Sequence, residues 1–171
     1  MSESDRPPGP GLEAFDAVYE REFDYVWRTL GRLGVPPSDL ADAAHEVFLV
    51  VFRRWKELDL DRGLRPWLFG VARRVAADAR RKAANAPATS LDREPAAPDQ
   101  PDHAERDLLW RALAELDEDR RVAVILHDLD GYTGAEIASM LDVPANTVHS
   151  RLRLARADLL AIVRRLRGGT R

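Results

Sequence analysis

Six polar or basic side chains recur along the segment 145–167, and their types and spacing suit contact with DNA. At about 100° per helical residue, they fall on one face or its flanks: Asn146, His149, Ser150 and Arg153 on the face, Arg151 and Arg156 on the flanks. Such groups donate hydrogen bonds to base edges and phosphates. The pattern predicts a DNA-binding helix; the alternative is an amphipathic helix hairpin whose basic face is only solvated.

Two helices joined by a tight turn must position these side chains. Thr133 and Glu136 have the spacing of a capping box that starts the first helix, and Asp142-Val143 supplies the turn. Pro144 is tolerated in the first turn of the second helix, where a backbone N–H would have no partner. The apolar residues repeat at helical spacing: Ile137, Ala138 and Leu141, then Val148, Leu152, Ala155 and Leu159. The segment therefore predicts a helix-turn-helix whose second helix enters the major groove.

A second basic helix is predicted over 65–82, where six cations outnumber a single carboxylate. Its predicted outer side carries Phe69, Arg73 and Arg80. Cations that hold phosphates beside an aromatic ring that stacks on an unpaired base form the combination that single-stranded DNA requires. The pattern fits such a site and, equally, a solvated basic helix with Phe69 half buried.

The helix predicted from Ser38 onwards exposes charged and apolar side chains opposite its buried stripe. Asp42, Glu46 and Arg53 lie there together with hydrophobic residues, and an outer face rich in apolar groups indicates a partner. A metal site at His45-Glu46 is disfavoured, because adjacent residues on a helix point about 100° apart.

Composition limits the class of protein. The 171 residues are 45% hydrophobic, contain no cysteine and carry a formal net charge of −3. Helical periodicities dominate and strand signals are scarce, which predicts an all-α fold. Disulfides and thiolate metal sites are excluded, and neither a signal peptide nor an apolar membrane span is recognisable. We therefore predict a soluble, cytoplasmic protein that has no cofactor, no metal and no membrane insertion.

The chain divides by composition into two small helical domains. Residues 1–11 are polar and rich in proline, and are predicted to be a disordered lead. The first domain is predicted over 12–82, and the second, which contains the helix-turn-helix, over 103–171. Between them, the proline-rich segment 83–102 lacks an apolar period and predicts a flexible linker.

The segment 116–159 resembles the fourth conserved region of bacterial RNA polymerase sigma factors of the compact extracytoplasmic-function (ECF) type. The matching residues include Glu136-Ile137-Ala138, Val143-Pro144, Thr147-Val148 and Ser150-Arg151-Leu152. The resemblance implies that the second helix reads the minus-thirty-five element through Asn146, Thr147, His149, Ser150, Arg151, Arg153 and Arg156. Two positions depart from the family pattern, which has Gly at Asn146 and Lys or Arg at His149.

Two further stretches resemble the same family. The segment 65–82, with its preceding loop, is similar to the part that melts and reads the minus-ten element, which implies contacts by Arg62, Arg65, Phe69, Arg73, Arg74, Arg80 and Arg81. The family commonly has Asn at Arg74. The segment 42–49 resembles the motif that docks on the clamp of the polymerase large subunit, which implies contacts by Asp42, His45, Glu46, Phe48 and Leu49. The family's usual Gln is His45 here.

These resemblances predict a sigma factor that binds core RNA polymerase and directs promoter-specific initiation on duplex and single-stranded promoter DNA. The alternative is a conventional helix-turn-helix regulator that acts without being a polymerase subunit. An enzyme is disfavoured, because no Ser, His and Asp grouping and no glycine-rich phosphate loop is present. The resemblance also suggests an anti-sigma protein as a partner.

Overall fold

The computed structural model describes residues 12–57, 63–85 and 101–168, and every regular element among them is helical. Within these ranges seven α-helices follow one another: α1 Leu12–Arg32, α2 Leu40–Arg53, α3 Leu64–Asn85, α4 Pro101–Glu115, α5 Glu118–Val124, α6 Gly134–Leu141 and α7 Ala145–Gly168. Short 3-10 turns occupy Pro37–Asp39 and Trp55–Glu57, and Ile125–Leu129 forms a π-helical turn. The all-α prediction is confirmed. None of the described helices combines the length and apolarity needed to cross a membrane.

Two compact units divide the chain: residues up to 30 together with 36–84, and residues 31–35 together with those from 85 onwards. The predicted domain boundaries at 82 and 103 fall inside helices, since α3 continues to Asn85 and α4 begins at Pro101. Three segments lie outside the described residues: the predicted lead 1–11, residues 58–62, which include Arg62, and residues 86–100 of the predicted linker.

Aromatic packing joins α1 to α2 in the first unit. The ring of Phe48 lies 4.6 Å from that of Tyr19 and 6.3 Å from that of Phe23, and the rings of Phe15 and Phe52 meet edge to face at 5.3 Å. Offset and edge-to-face arrangements stabilise ring pairs beyond the apolar area that they bury. Helix α3 completes this core with buried apolar residues along its first half: Leu64, Leu68, Phe69, Val71, Ala72, Val75 and Ala76.

The core of the second unit runs from α4 to α7 and includes a buried cation. The Arg121 side chain on α5 is 5% exposed, and its Nη2 donates to the carbonyl oxygens of Ala114 and Leu116 at 2.8 Å. These carbonyls end α4, where the helix dipole presents partial negative charge. The guanidinium therefore fixes the end of α4 to α5, the helix on which α7 packs.

Candidate nucleic-acid interface

The helix-turn-helix begins with the predicted capping box. Thr133 Oγ1 accepts from the Glu136 backbone N–H at 3.3 Å, and the Glu136 carboxylate accepts from the Thr133 N–H at 2.7 Å. The hydrogen bond from the Thr133 backbone favours the ionised acid and lowers the pKa of Glu136. At the other end of α6, Asp142 adopts the left-handed conformation with φ 53°, which Asp tolerates better than most side chains. The turn at Asp142-Val143 is confirmed.

One face of α7, which we call the recognition face, is exposed and polar. Asn146, His149, Ser150 and Arg153 are exposed, whereas Val148, Leu152 and Ala155 on the other side are buried. Among the residues that the structure describes, Arg153 has no hydrogen-bond or ion-pair partner. The four side chains predicted to share a face do share it, and Thr147 at its edge is half-buried. Their contact with DNA stays a prediction.

His149 lies close to the start of α6. A Cβ added to Gly134 would lie 3.3 Å from His149 Nε2, closer than most real Cβ contacts. Glycine at the first position of α6 therefore leaves room for the His149 ring beside the recognition face.

Both arginines that were predicted to flank the exposed face of α7 are ion-paired within the same unit, and helix geometry turns Arg151 away from that face, roughly 160° from Arg153. Arg151 donates through Nη2 to Asp119 of α5, and only 22% of its side chain is exposed. Arg156 forms a two-pronged pair with Asp128 of the π-helical turn: Nη2 lies 2.5 Å from Oδ1 and Nε 3.1 Å from Oδ2. The hydrogen bond from Arg156 lowers the pKa of Asp128 and outweighs the opposing effect of burial. Sequence analysis missed both carboxylates, because no local pattern links residues 32 and 28 positions apart.

An open cleft of about 440 Å³ lies where the start of α5 meets the first half of α7. Its walls carry both signs of charge, from Asp117, Asp119 and Arg120 on one side and Asn146, Ser150 and Arg151 on the other. Asp117 is already engaged, because its carboxylate accepts from the backbone N–H of Asp119 and caps α5. The mixed charge makes the cleft a poor phosphate cradle, so the exposed face of α7 remains the candidate DNA surface.

The prediction that Phe69 lies on the outer side of α3 is wrong. Its side chain is 2% exposed. The buried residues of α3, from Leu64 to Ala76, span roughly 160° of the helix circumference, and this wide stripe includes Phe69. The ring is therefore part of the core and cannot stack on an unpaired base in this conformation.

The basic residues of α3 differ in their contacts: one binds α1, and others are exposed on the helix surface. Arg65 Nε donates to Glu22 at 2.9 Å, and the guanidinium lies 5.0 Å from the centre of the Tyr25 ring, so Arg65 fixes the start of α3 to α1. Burial alone would raise the pKa of Glu22, but the hydrogen bonds and charges of Arg21 and Arg65 outweigh it and lower that pKa. Arg74 and Arg81 are exposed, and Arg81 pairs with Asp78 one turn earlier.

The remaining arginines predicted for single-stranded DNA are less accessible. Arg73 and Arg80 are half-buried. Arg74, at the position where the resembled family commonly has Asn, is exposed and, like Lys82, has no recorded partner among the described residues.

Helix α2 presents a coherent exposed face. Asp42, His45, Glu46 and Leu49 are exposed together, and Leu49 shows 39% of its surface despite being apolar. Phe48 does not belong to this face: it is 2% exposed and packs among the rings of α1. The prediction that Phe48 contacts a partner directly is therefore wrong, and its place in the apolar stripe of α2 is confirmed.

Comparisons with known proteins match both units. The family model of Sigma-70 region 2 matches residues 18–86, and that of Sigma-70 region 4 matches residues 106–159. The ECF RNA polymerase sigma-E factor of Escherichia coli strain K12 is 30% identical over 138 residues, which cover 71% of this chain and 72% of that protein. The ECF RNA polymerase sigma factor SigM of Mycobacterium tuberculosis is 29% identical over 157 residues, which cover 91% and 80%.

Two solved structures share the fold. CnrH, determined in complex with the cytosolic domain of CnrY, superposes with a TM-score of 0.69 at 22% identity and covers 90% of each chain. The sigma factor RpoE of Bartonella quintana, determined in complex with the anti-sigma factor NepR, also gives 0.69, at 19% identity, and covers 90% of this chain and 98% of its own.

Proposed function

The chain belongs to the ECF sigma factors of the sigma-70 family, and on that premise we propose how its two units divide the work of initiation. It is a sigma factor, which binds core RNA polymerase and directs it to promoters. The observation that carries the division is that each unit matches one conserved region, and each presents its own exposed polar or basic surface.

The exposed face of α7 reads duplex promoter DNA at the minus-thirty-five element. A guanidinium can bond two acceptors of guanine, and an amide can do the same with adenine, so Arg153 and Asn146 can discriminate bases in the major groove. Both side chains are exposed and have no recorded partner among the described residues. No internal bond of theirs must therefore break before they contact a base.

The basic side of α3 faces the strand that opens at the minus-ten element. Two of its exposed cations, Arg74 and Arg81, hold phosphates of the single strand through charge. Phe69 supports this surface from within the core and is not available to stack on a base.

The exposed face of α2 binds core polymerase. Asp42 and Glu46 supply negative charge beside the apolar surface of Leu49. Apolar area surrounded by charge is typical of protein interfaces, and this face is the part of the chain that resembles the family's clamp-binding motif. We also propose that an anti-sigma protein holds this chain in reserve, because one structural neighbour, RpoE of Bartonella quintana, was determined in complex with the anti-sigma factor NepR.

Glu46→Lys is expected to abolish transcription without unfolding the chain. The substitution reverses a charge on the exposed face of α2, and surface substitutions of this kind change stability by only about 0.5 kcal/mol. The test is transcription of genomic DNA in vitro by core polymerase with each protein, with sequencing of the transcripts to identify the promoters. Glu105→Lys makes the same charge change at an exposed position of α4, and this variant should stay active. Wild-type activity of a normally folded Glu46→Lys protein would exclude this face as the polymerase contact.

Arg153→Ala is expected to weaken promoter recognition at particular bases. Loss of a base-edge contact costs roughly 1–3 kcal/mol of discrimination, which appears as a loss confined to certain base substitutions in the upstream element. Arg164→Ala is the matched control, because Arg164 is also exposed on α7 but lies 11 positions further along. It should cost less and show no base preference. If Arg153→Ala weakens binding equally for every sequence, Arg153 contacts phosphate and does not read bases.

A further inference from the structure

The six arginines of α7 fall into two groups. Three are paired with carboxylates of earlier elements in the same unit: Arg151 with Asp119, Arg156 with Asp128 and Arg165 with Glu115. The other three, Arg153, Arg164 and Arg167, are exposed and have no recorded partner among the described residues. Half of the arginine charge of this helix is therefore paired with carboxylates of the protein itself in the absence of DNA.

The grouping follows position around the helix. Taking Arg153 as the reference, Arg164 and Arg167 lie within roughly 40° of it, so the unpaired arginines form one stripe. Arg165 lies roughly 120° away and Arg151 roughly 160° away, on sides turned from that stripe. Arg156 differs from these two, because it lies only roughly 60° from Arg153. Arg156 is thus the paired arginine beside the recognition face.

The pair that holds Arg156 is specific in geometry. Both Asp128 oxygens accept from it, through Nη2 at 2.5 Å and Nε at 3.1 Å, which uses the fork of the guanidinium. His127 Nδ1 lies 2.8 Å from the same carboxylate. Because the pKa of Asp128 is lowered, chiefly by the bond from Arg156, the carboxylate is charged at neutral pH.

We propose that Asp128 is a specificity-determining residue, which withholds Arg156 from the phosphates of DNA that is not a promoter. This inference rests on the proposed role of α7 in reading DNA. Affinity for arbitrary DNA comes from cations that neutralise phosphates, whereas sequence is read at base edges. A carboxylate beside the recognition face occupies the donors of Arg156 and repels nearby phosphate, but it leaves the stripe through Arg153 untouched. The pair therefore lowers affinity for arbitrary DNA more than affinity for the promoter, and this ratio decides occupancy in a genome.

The test compares Asp128→Asn with Glu115→Gln in the full-length protein. Each variant removes one negative charge and releases one arginine of α7, but only Asp128→Asn releases an arginine beside the recognition face. Binding to a duplex of random sequence is measured by fluorescence anisotropy across a salt titration. We expect Asp128→Asn to bind several-fold more tightly, with a salt slope steeper by about 0.9, the increment for one added phosphate contact. Glu115→Gln should keep the wild-type slope. Exposed ion pairs add little to stability, so both variants should melt as the wild type does.

A second background shows whether the effect passes through Arg156. In Arg156→Ala, the further change Asp128→Asn should leave the salt slope unaltered, because no arginine remains to be released. Three results would overturn the proposal: a wild-type slope for Asp128→Asn, equal steepening by Glu115→Gln, or the same steepening in the Arg156→Ala background. The assay contains no polymerase, so its outcome is independent of the transcription experiment. If the wild-type chain does not support transcription but Asp128→Asn still steepens the salt dependence of DNA binding, the sigma function is contradicted and the Asp128 proposal stands.

Discussion

We expect thymines of promoter DNA to become reactive to permanganate only when the chain and core RNA polymerase are present together. Opening a duplex costs roughly 1.4 kcal/mol per base-pair step, so about ten steps cost on the order of 14 kcal/mol. The chain alone has little with which to offset this cost: its formal net charge is −3, and half of the arginines of α7 are already ion-paired. The two separate surfaces also lose orientational freedom when they engage DNA at once, and this loss opposes binding. Docking on polymerase orients both surfaces beforehand, so that the loss no longer opposes DNA binding.

Permanganate probing of a promoter identified by genomic transcription, with the chain alone, core alone and both together, measures this directly. A footprint on the same fragment should likewise require both components. Glu46→Lys added with core is the matched negative control, because it alters the exposed face of α2 and no DNA contact. Tight protection by the isolated chain at physiological salt, with no gain from core polymerase, would favour a conventional helix-turn-helix regulator.

Phe69→Ala is expected to lose about 3–5 kcal/mol of the free energy of unfolding of the first unit, the usual cost of truncating a buried aromatic side chain. The ring is 2% exposed in the core on which α3 depends. Urea titration followed by circular dichroism measures the loss. Arg74→Ala, on the exposed side of the same helix, should change stability by no more than about 0.5 kcal/mol.

Phe69→Leu separates packing from base stacking. Leucine keeps most of the apolar volume but has no aromatic ring, so a core role predicts that this variant retains promoter opening with core polymerase. A stacking role predicts the reverse: Phe69→Ala would fold with wild-type stability, and Phe69→Leu would fail to open the promoter. Either of these results would contradict the buried position of the ring.

The sequence alone determined the features that depend on neighbours within one or two helical turns. Helical periodicity predicted the all-α fold, and the spacing of Thr133 and Glu136 predicted the capping box. The period of α7 predicted which side is buried, at Val148, Leu152 and Ala155, and therefore which side is exposed. Backbone hydrogen bonds and the i to i+4 geometry of a helix fix these properties, whatever packs against it.

Tertiary structure alone decided how wide each buried stripe is and which charges are free. The helical period of the apolar residues gives the centre of the buried stripe on α3. The packing of neighbouring helices sets how far the stripe extends, and it extends far enough to include Phe69. Arg65 meets Glu22 from 43 positions away, and Arg156 meets Asp128 from 28. Such pairs form only after helices have packed, because an ion pair depends on distance through space and no local pattern in the chain encodes that distance.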